Sequence, residues 1–254
     1  MKTFFITPLL ILFVSILLSC RQHPIEIEYY PNDKSISNST GEPKDSLTFY
    51  YPRFIKTDSQ IIVSNIDSFN NKQYSYTLKE LKEPILFNYY QGHDMYRFLW
   101  LRAFNPAVAI TLNKDGDKVW LTTKKLDRRV QYIEAGRINI SPPKGVKVDT
   151  VQLNNNYLEA DSIAKYERHG NIIVDKKKNL SIETWNKFEQ LLSQFNYWNI
   201  PPAETKLLVE GSRWIIEAHL MKRYWIVERA SPKDNYRKCG EYLLDLSELT
   251  EDRY

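Results

Sequence analysis

The strongest constraint on this chain is the segment VAITLNKDGDKVWLTT at 108–123, where two apolar runs flank Asp115-Gly116. Asp-Gly favours the positive φ of a type I′ turn, so the two runs are expected to pair as an antiparallel hairpin. A second hairpin reads out of SRWIIEAHLMKRYWIVERASP at 212–232, turning near Met221-Lys222, and MYRFLWLRAF at 95–104 supplies a further strand. These pieces do not follow a regular β-α-β alternation. The expected class is therefore α+β: one main globular domain with a largely antiparallel sheet and a few packed helices.

Helices are legible where apolar residues recur at helical spacing. Ser181 is placed to cap a helix with Glu183 in its first turn and Trp185, Phe188, Leu191, Leu192 and Phe195 on one stripe. Tyr236, Cys239, Leu243, Leu246 and Leu249 suggest a last helix from Asp234. TLKELKEP at 77–84 reads as a short helix stopped by Pro84. ILFNYY at 85–90 reads as a strand, and LTFYYPRFI at 47–55 as an edge segment broken by Pro52. Shorter pieces fall at Arg137–Ile140, Val146–Leu153 and Asn171–Val174, and Lys176-Lys177-Lys178 is read as a solvated turn.

The first twenty residues, MKTFFITPLLILFVSILLSC, carry one early charge, Lys2, and an apolar core from Pro8 to Leu18. That core is shorter than the roughly 20 residues a membrane-spanning helix needs, so it reads as a signal peptide. It ends in Leu17-Leu18-Ser19-Cys20, which resembles the lipobox of bacterial lipoproteins. The resemblance implies cleavage after Ser19, a diacylglyceryl thioether on Cys20 and acylation of the new amino terminus. Residues 1–19 are then the signal peptide, 20–46 a lipid-anchored flexible tether, with Ile25–Tyr30 as an optional short strand, and 47–254 the globular domain. Arg21 stands where some bacteria use Asp to retain a lipoprotein at the inner membrane, which favours the outer membrane of the cell envelope. The segments W-I-I-E and Y-R-F-L-W-L-R give the body a similarity to bacterial envelope lipoproteins with an aromatic-rich α+β domain, which implies a location and no activity.

Composition narrows the partners. With 35 basic and 31 acidic residues interspersed along the chain, nothing points to nucleic acid. Of the two cysteines, lipid takes Cys20, so Cys239 has no partner for an intrachain disulfide and is expected to be a buried, inert thiol. Eight glycines provide poorly for phosphate-cradling loops, and no P-loop, dinucleotide fingerprint or G-x-S-x-G occurs. No cofactor is expected.

The remaining candidates are sparse. Glu217 and His219 lie two apart on a strand and share a face, and the hairpin brings Tyr224 and Glu228 to it; that is raw material for acid–base chemistry. The competing reading is a solvated polar face opposite Trp214, Ile216, Trp225 and Val227. His93 and Asp94, with Arg97 nearby, sit in a loop where a carboxylate could orient a histidine. Tyr89, Tyr90, Tyr96 and Trp100 cluster about the same loop, and aromatics of this kind are enriched at interfaces. NKDGDK at 113–118 has Lys118 and Lys124 where a calcium loop needs Gly and Glu, so it is a hairpin turn. Asp45-Ser46-Leu47, Asp149-Thr150-Val151 and Asp161-Ser162-Ile163 resemble an Asp-Ser/Thr-apolar O-glycosylation motif. Together these readings favour a non-catalytic envelope module binding a protein or glycan. An envelope hydrolase using Glu217, His219 and Glu228 is the first alternative, and a structural or immunity-type lipoprotein the second.

Overall fold

The computed structural model describes residues 29–134, 165–204 and 211–253. Cys20, the segment expected to be a signal peptide, and the pieces expected at 137–140 and 146–153 lie outside the described residues. So do Asp149-Thr150 and Asp161-Ser162.

The centre is a six-stranded antiparallel sheet. In chain order its strands are β3 (Asp94–Arg102), β4 (Val108–Asp115), β5 (Lys118–Leu126), β8 (Ile172–Leu180), β9 (Ser212–Leu220) and β10 (Arg223–Ala230). Their spatial order is β10-β9-β3-β4-β5-β8. Two small sheets accompany it, β1 (Phe54–Lys56) with β2 (Ile61–Val63), and β6 (Gln131–Glu134) with β7 (Lys165–Arg168). Among the described residues three α-helices complete the α+β architecture: α1 (Ser68–Glu80), α2 (Ile182–Gln194) and α3 (Asn235–Ser247).

Both expected hairpins form, with one shift. Asp115 pairs with Lys118, so the β4–β5 turn is Gly116-Asp117 rather than Asp115-Gly116. Gly116 has φ +56° while Asp117 is not among the positive-φ residues, the pattern of a type II′ turn with glycine first. The β9–β10 turn falls at Met221-Lys222, as the pairing of Leu220 with Arg223 requires.

Aromatic side chains hold α2 and α3 on one face of the sheet. Tyr96 meets Trp185 and Phe188 of α2 at ring distances of 4.8 and 5.1 Å, and Phe98 meets Trp214 at 5.2 Å. Gly240 of α3 lies flat on that indole, since a Cβ there would stand 2.4 Å from the Trp214 ring. Cys239, beside it, is buried, donates weakly to the Asn235 carbonyl at 3.6 Å, and has its thiol pushed up to about 12 by burial.

The other face is covered by α1 and by irregular chain, which departs from the sequence expectations in three places. Helix α1 begins nine residues earlier than TLKELKEP suggested, capped by the Asp67 carboxylate accepting from Asn70 N–H at 3.0 Å. Residues 68–73, polar apart from exposed Phe69, hid this first part, because the helix buries Tyr74, Tyr76 and Leu78 late in its length. ILFNYY joins no strand; its first four residues are buried and its two tyrosines half-buried. Residues 29–46 are no free tether: Asn88, fully buried, clamps them by donating to the Asp33 carbonyl at 2.7 Å and to Ser37 Oγ at 2.8 Å. Gly41, at φ +78°, lets this strap pass Ile85, whose carbonyl oxygen would stand 2.7 Å from a Cβ.

Lys176–Lys178 also fall differently. They lie within β8, an edge strand with most side chains exposed, where lysines discourage pairing with other chains. Lys177 sits 4.6 Å over the Trp120 ring.

Candidate functional site

Glu217, His219, Tyr224 and Glu228 do share one face, but that face is sealed under α1 and residues 81–90. Neither the solvated polar face nor an accessible acid–base site is what the chain builds. Glu217 is buried with Arg97 from β3 directly across the ladder. Arg97 Nε donates to Glu217 Oε2 at 3.0 Å, its Nη2 also pairs with that oxygen, and its Nη1 donates to the Pro84 carbonyl at 2.6 Å. Tyr224 donates to Glu217 Oε1 at 2.7 Å. Burial pushes the Glu217 carboxyl up; the guanidinium and the tyrosine hydroxyl oppose that. Glu83 extends the network, 3.6 Å from Arg97 and 3.0 Å from Lys124.

His219 uses both ring nitrogens. Backbone N–H of Gln91 can only donate, so Nε2 accepts from it at 3.0 Å, and Nδ1 must then carry the proton given to the Leu86 carbonyl at 2.7 Å. The ring is neutral, stacked on Tyr90 at 5.2 Å, and burial lowers its pKa to about 3. A histidine so committed has no nitrogen left for general-base work. It ties the 86–91 segment to the sheet.

The loop candidates disperse in the same way. Asp94 accepts from Tyr90 hydroxyl at 3.1 Å and from Met221 N–H at 2.8 Å, bracing the β9–β10 turn rather than orienting His93. His93 Nε2 faces Asn113 Oδ1 at 3.1 Å and its ring lies 5.2 Å from Trp120. Tyr96 and Trp100 are core residues: Tyr96 donates to Glu189 at 3.2 Å, and Arg102 stacks over Trp100 at 4.1 Å. Both point to the helical face, away from the loop. Asp45 is held by Leu47 N–H at 2.8 Å and by Thr48, in a loop where Ser46 is exposed.

The sequence reading missed a cleft. It occupies about 290 Å³ between α1, the end of β3 and the start of β9. Phe69, Gln73 and Tyr74 line it from α1, Arg102 and Arg213 from the strand ends, and Arg129 and Tyr132 from the chain entering β6. Glu228, the fourth residue of the expected acid–base set, serves its floor, accepting from Tyr74 hydroxyl at 2.7 Å and pairing with Arg213 at 3.0 Å. Burial raises the Glu228 carboxyl's pKa. Arg102 pairs with Glu251 at 2.7 Å and donates to the Pro106 carbonyl at 2.9 Å; its buried Nε has no partner among the described residues. Arg129 is exposed and donates to the Ala103 carbonyl at 2.7 Å.

Arg102 has no exposed side-chain surface and only walls the cleft, which offers the guanidiniums of Arg129 and Arg213, a phenol and an exposed phenyl ring, the mixture that grips a polar or acidic ligand with apolar portions. Among the described residues that line it there is no histidine, cysteine or carboxylate. Among the described residues no group of His, Cys, Asp and Glu gathers to hold a metal ion, and no helix is long and apolar enough to cross a membrane. No family model, curated protein or solved structure matches the chain.

Proposed function

We propose that this chain is a lipid-anchored binding protein of the cell envelope, tied to the membrane through Cys20 and non-catalytic. Its ligand is a segment of an envelope protein or glycan held in the cleft beside α1. The cleft carries this reading: it is open to solvent, and arginines and aromatic rings line it. The acid–base residues a hydrolase would need are committed to buried ion pairs and hydrogen bonds instead. The Leu17-Leu18-Ser19-Cys20 sequence supports the anchor, and Arg21 supports the outer membrane.

Two measurements test it. Intact mass of the mature chain should show a triacylated Cys20 at the amino terminus; free Cys20 or intact Met1 overturns the anchor. A photo-crosslinking residue at exposed Phe69 should trap a reproducible envelope partner that the same residue at Ile173, on the far edge strand, does not. Identical or empty patterns from both positions overturn the cleft.

A further inference from the structure

The described chain begins between two turns. Tyr29 hydroxyl donates to Asp58, in the β1–β2 turn, at 2.6 Å, and Tyr30 hydroxyl donates to the Leu220 carbonyl, at the β9–β10 turn, at 2.7 Å. Each turn presents an apolar side chain to solvent. Ile61 is 69 % exposed and Met221 61 %. Behind Ile61, the outward side of the hairpin continues with Phe54 and Val63, which face each other across the ladder and are also exposed. The inward side, Ile55 against Ile62, packs toward the body. A tight hairpin with apolar residues on its open face is an uncompensated surface, since turns are ordinarily polar.

Cations accompany these side chains. Lys222 and Arg223 lie in and beside the β9–β10 turn, both exposed, and the Arg223 guanidinium stacks over Trp198 at 4.1 Å. Apolar tips ringed by Lys, Arg and a tryptophan are what the boundary between lipid headgroups and acyl chains accommodates.

The chain length selects the occupant. Tyr29 is nine residues past Cys20. Fully extended, nine residues reach at most about 32 Å, and as a flexible coil they average about 17 Å. The strap is pinned from Tyr29 onward, so at the coil average a lipid on Cys20 keeps these two turns nearer the membrane than the far end of the sheet. The cleft opens at the opposite end of β9, whose nine residues span roughly 27 Å.

We infer that the β1–β2 and β9–β10 turns form a membrane-docking surface that seats Ile61 and Met221 in an anionic lipid leaflet and turns the cleft away from it. This deepens the anchored reading and rests on acylation of Cys20. The test uses the full acylated chain reconstituted from outside into vesicles of phosphatidylethanolamine and phosphatidylglycerol, with single Ile61→Cys, Met221→Cys or Ile173→Cys substitutions. Ile173, at 59 % exposed, matches the other two in the folded protein but lies on the distant β8 edge. Cys239 is buried and silent, and lipid occupies Cys20. A membrane-impermeant maleimide should modify Ile61→Cys and Met221→Cys about tenfold more slowly than Ile173→Cys. Equal rates in chains whose mass shows the acyl groups overturn the docking surface alone. Chains whose mass shows no acyl group overturn the anchor, and the docking with it.

Discussion

The two faces of the central sheet are both buried, yet they are built from different chemistry. The face under α2 and α3 is aromatic and aliphatic: Tyr96 meets Trp185 and Phe188 of α2, Phe98 and Trp100 meet Trp214 beside them, and Ile216 is buried among them. The face under α1 and the strap carries Arg97, Glu217, His219, Tyr224 and Glu228, each tied to a named partner. The first face is held by area removed from water. The second depends on its charged groups being matched, because an unmatched one pays its full desolvation. A buried polar layer of this kind looks like an active site in sequence and behaves as a fastening in the fold.

The largest expected effect breaks the fastening at its centre. Arg97→Met leaves Glu217 buried without its cation, and chemical denaturation should show a loss of about 3–5 kcal/mol. The double variant Arg97→Met/Glu217→Met should recover most of that loss, since matched apolar residues can replace a buried pair. No recovery in the double variant would mean the two faces are not interchangeable in chemistry.

On the helical face the corresponding perturbation is steric. Gly240→Ala drives a methyl into the Trp214 ring, and the overpacking should cost about 2 kcal/mol despite alanine's better helix propensity. A neutral or stabilising result would show that α3 can slide outward, and that this face is packed loosely.

His219 gives the polar face a pH dependence that the aromatic face lacks. Its folded pKa, about 3, lies below the unfolded value near 6.5, so the unfolded chain binds the extra proton first. Its contribution is therefore complete above pH 6.5 and is lost as pH falls toward 3, with a slope of about 1.4 kcal/mol per pH unit. The raised carboxyls of Glu217 and Glu228 are present in both proteins, so denaturation midpoints of the chain and of His219→Gln should diverge between pH 6.5 and 5 through the imidazole. Parallel curves would remove His219 from the account.

The smallest effect belongs outside both faces. Lys177→Ala on the β8 edge loses only an exposed contact with Trp120, about 0.5 kcal/mol of folding stability. It should instead raise concentration-dependent aggregation in light scattering, because the edge loses a charge that discourages strand pairing.

Much of the fold was legible locally. Gly116 needs a turn, Ser181 and the Trp185–Phe188–Leu192 stripe need a helix, and Pro-free apolar runs at 95–102 and 212–220 need strands. The type of turn was not, because Asp115 pairs with Lys118 and so moves the turn by one residue. Nor was α1, whose apolar content is concentrated after Gln73. The candidate site was legible only as a set of residue types. Glu217, His219, Tyr224 and Glu228 share a face as period-two spacing requires, but whether water reaches that face depends on segments more than a hundred residues earlier.

By itself the sequence determined the pairings set by short-range geometry: two hairpins, two of the helices, and a lone cysteine placed inside one of them. It also contains Leu17-Leu18-Ser19-Cys20, whose resemblance to a lipobox motivates the proposed anchor. Tertiary structure alone decided that Asn88 would pin 29–46 to the body, that Arg97 would meet Glu217 instead of solvent, and that a cleft would open beside α1. The physical reason is that local signals report the backbone's preferences within a few residues. Burial, pairing and accessibility are properties of what comes to lie on top, and for this sheet that cover is supplied by distant chain.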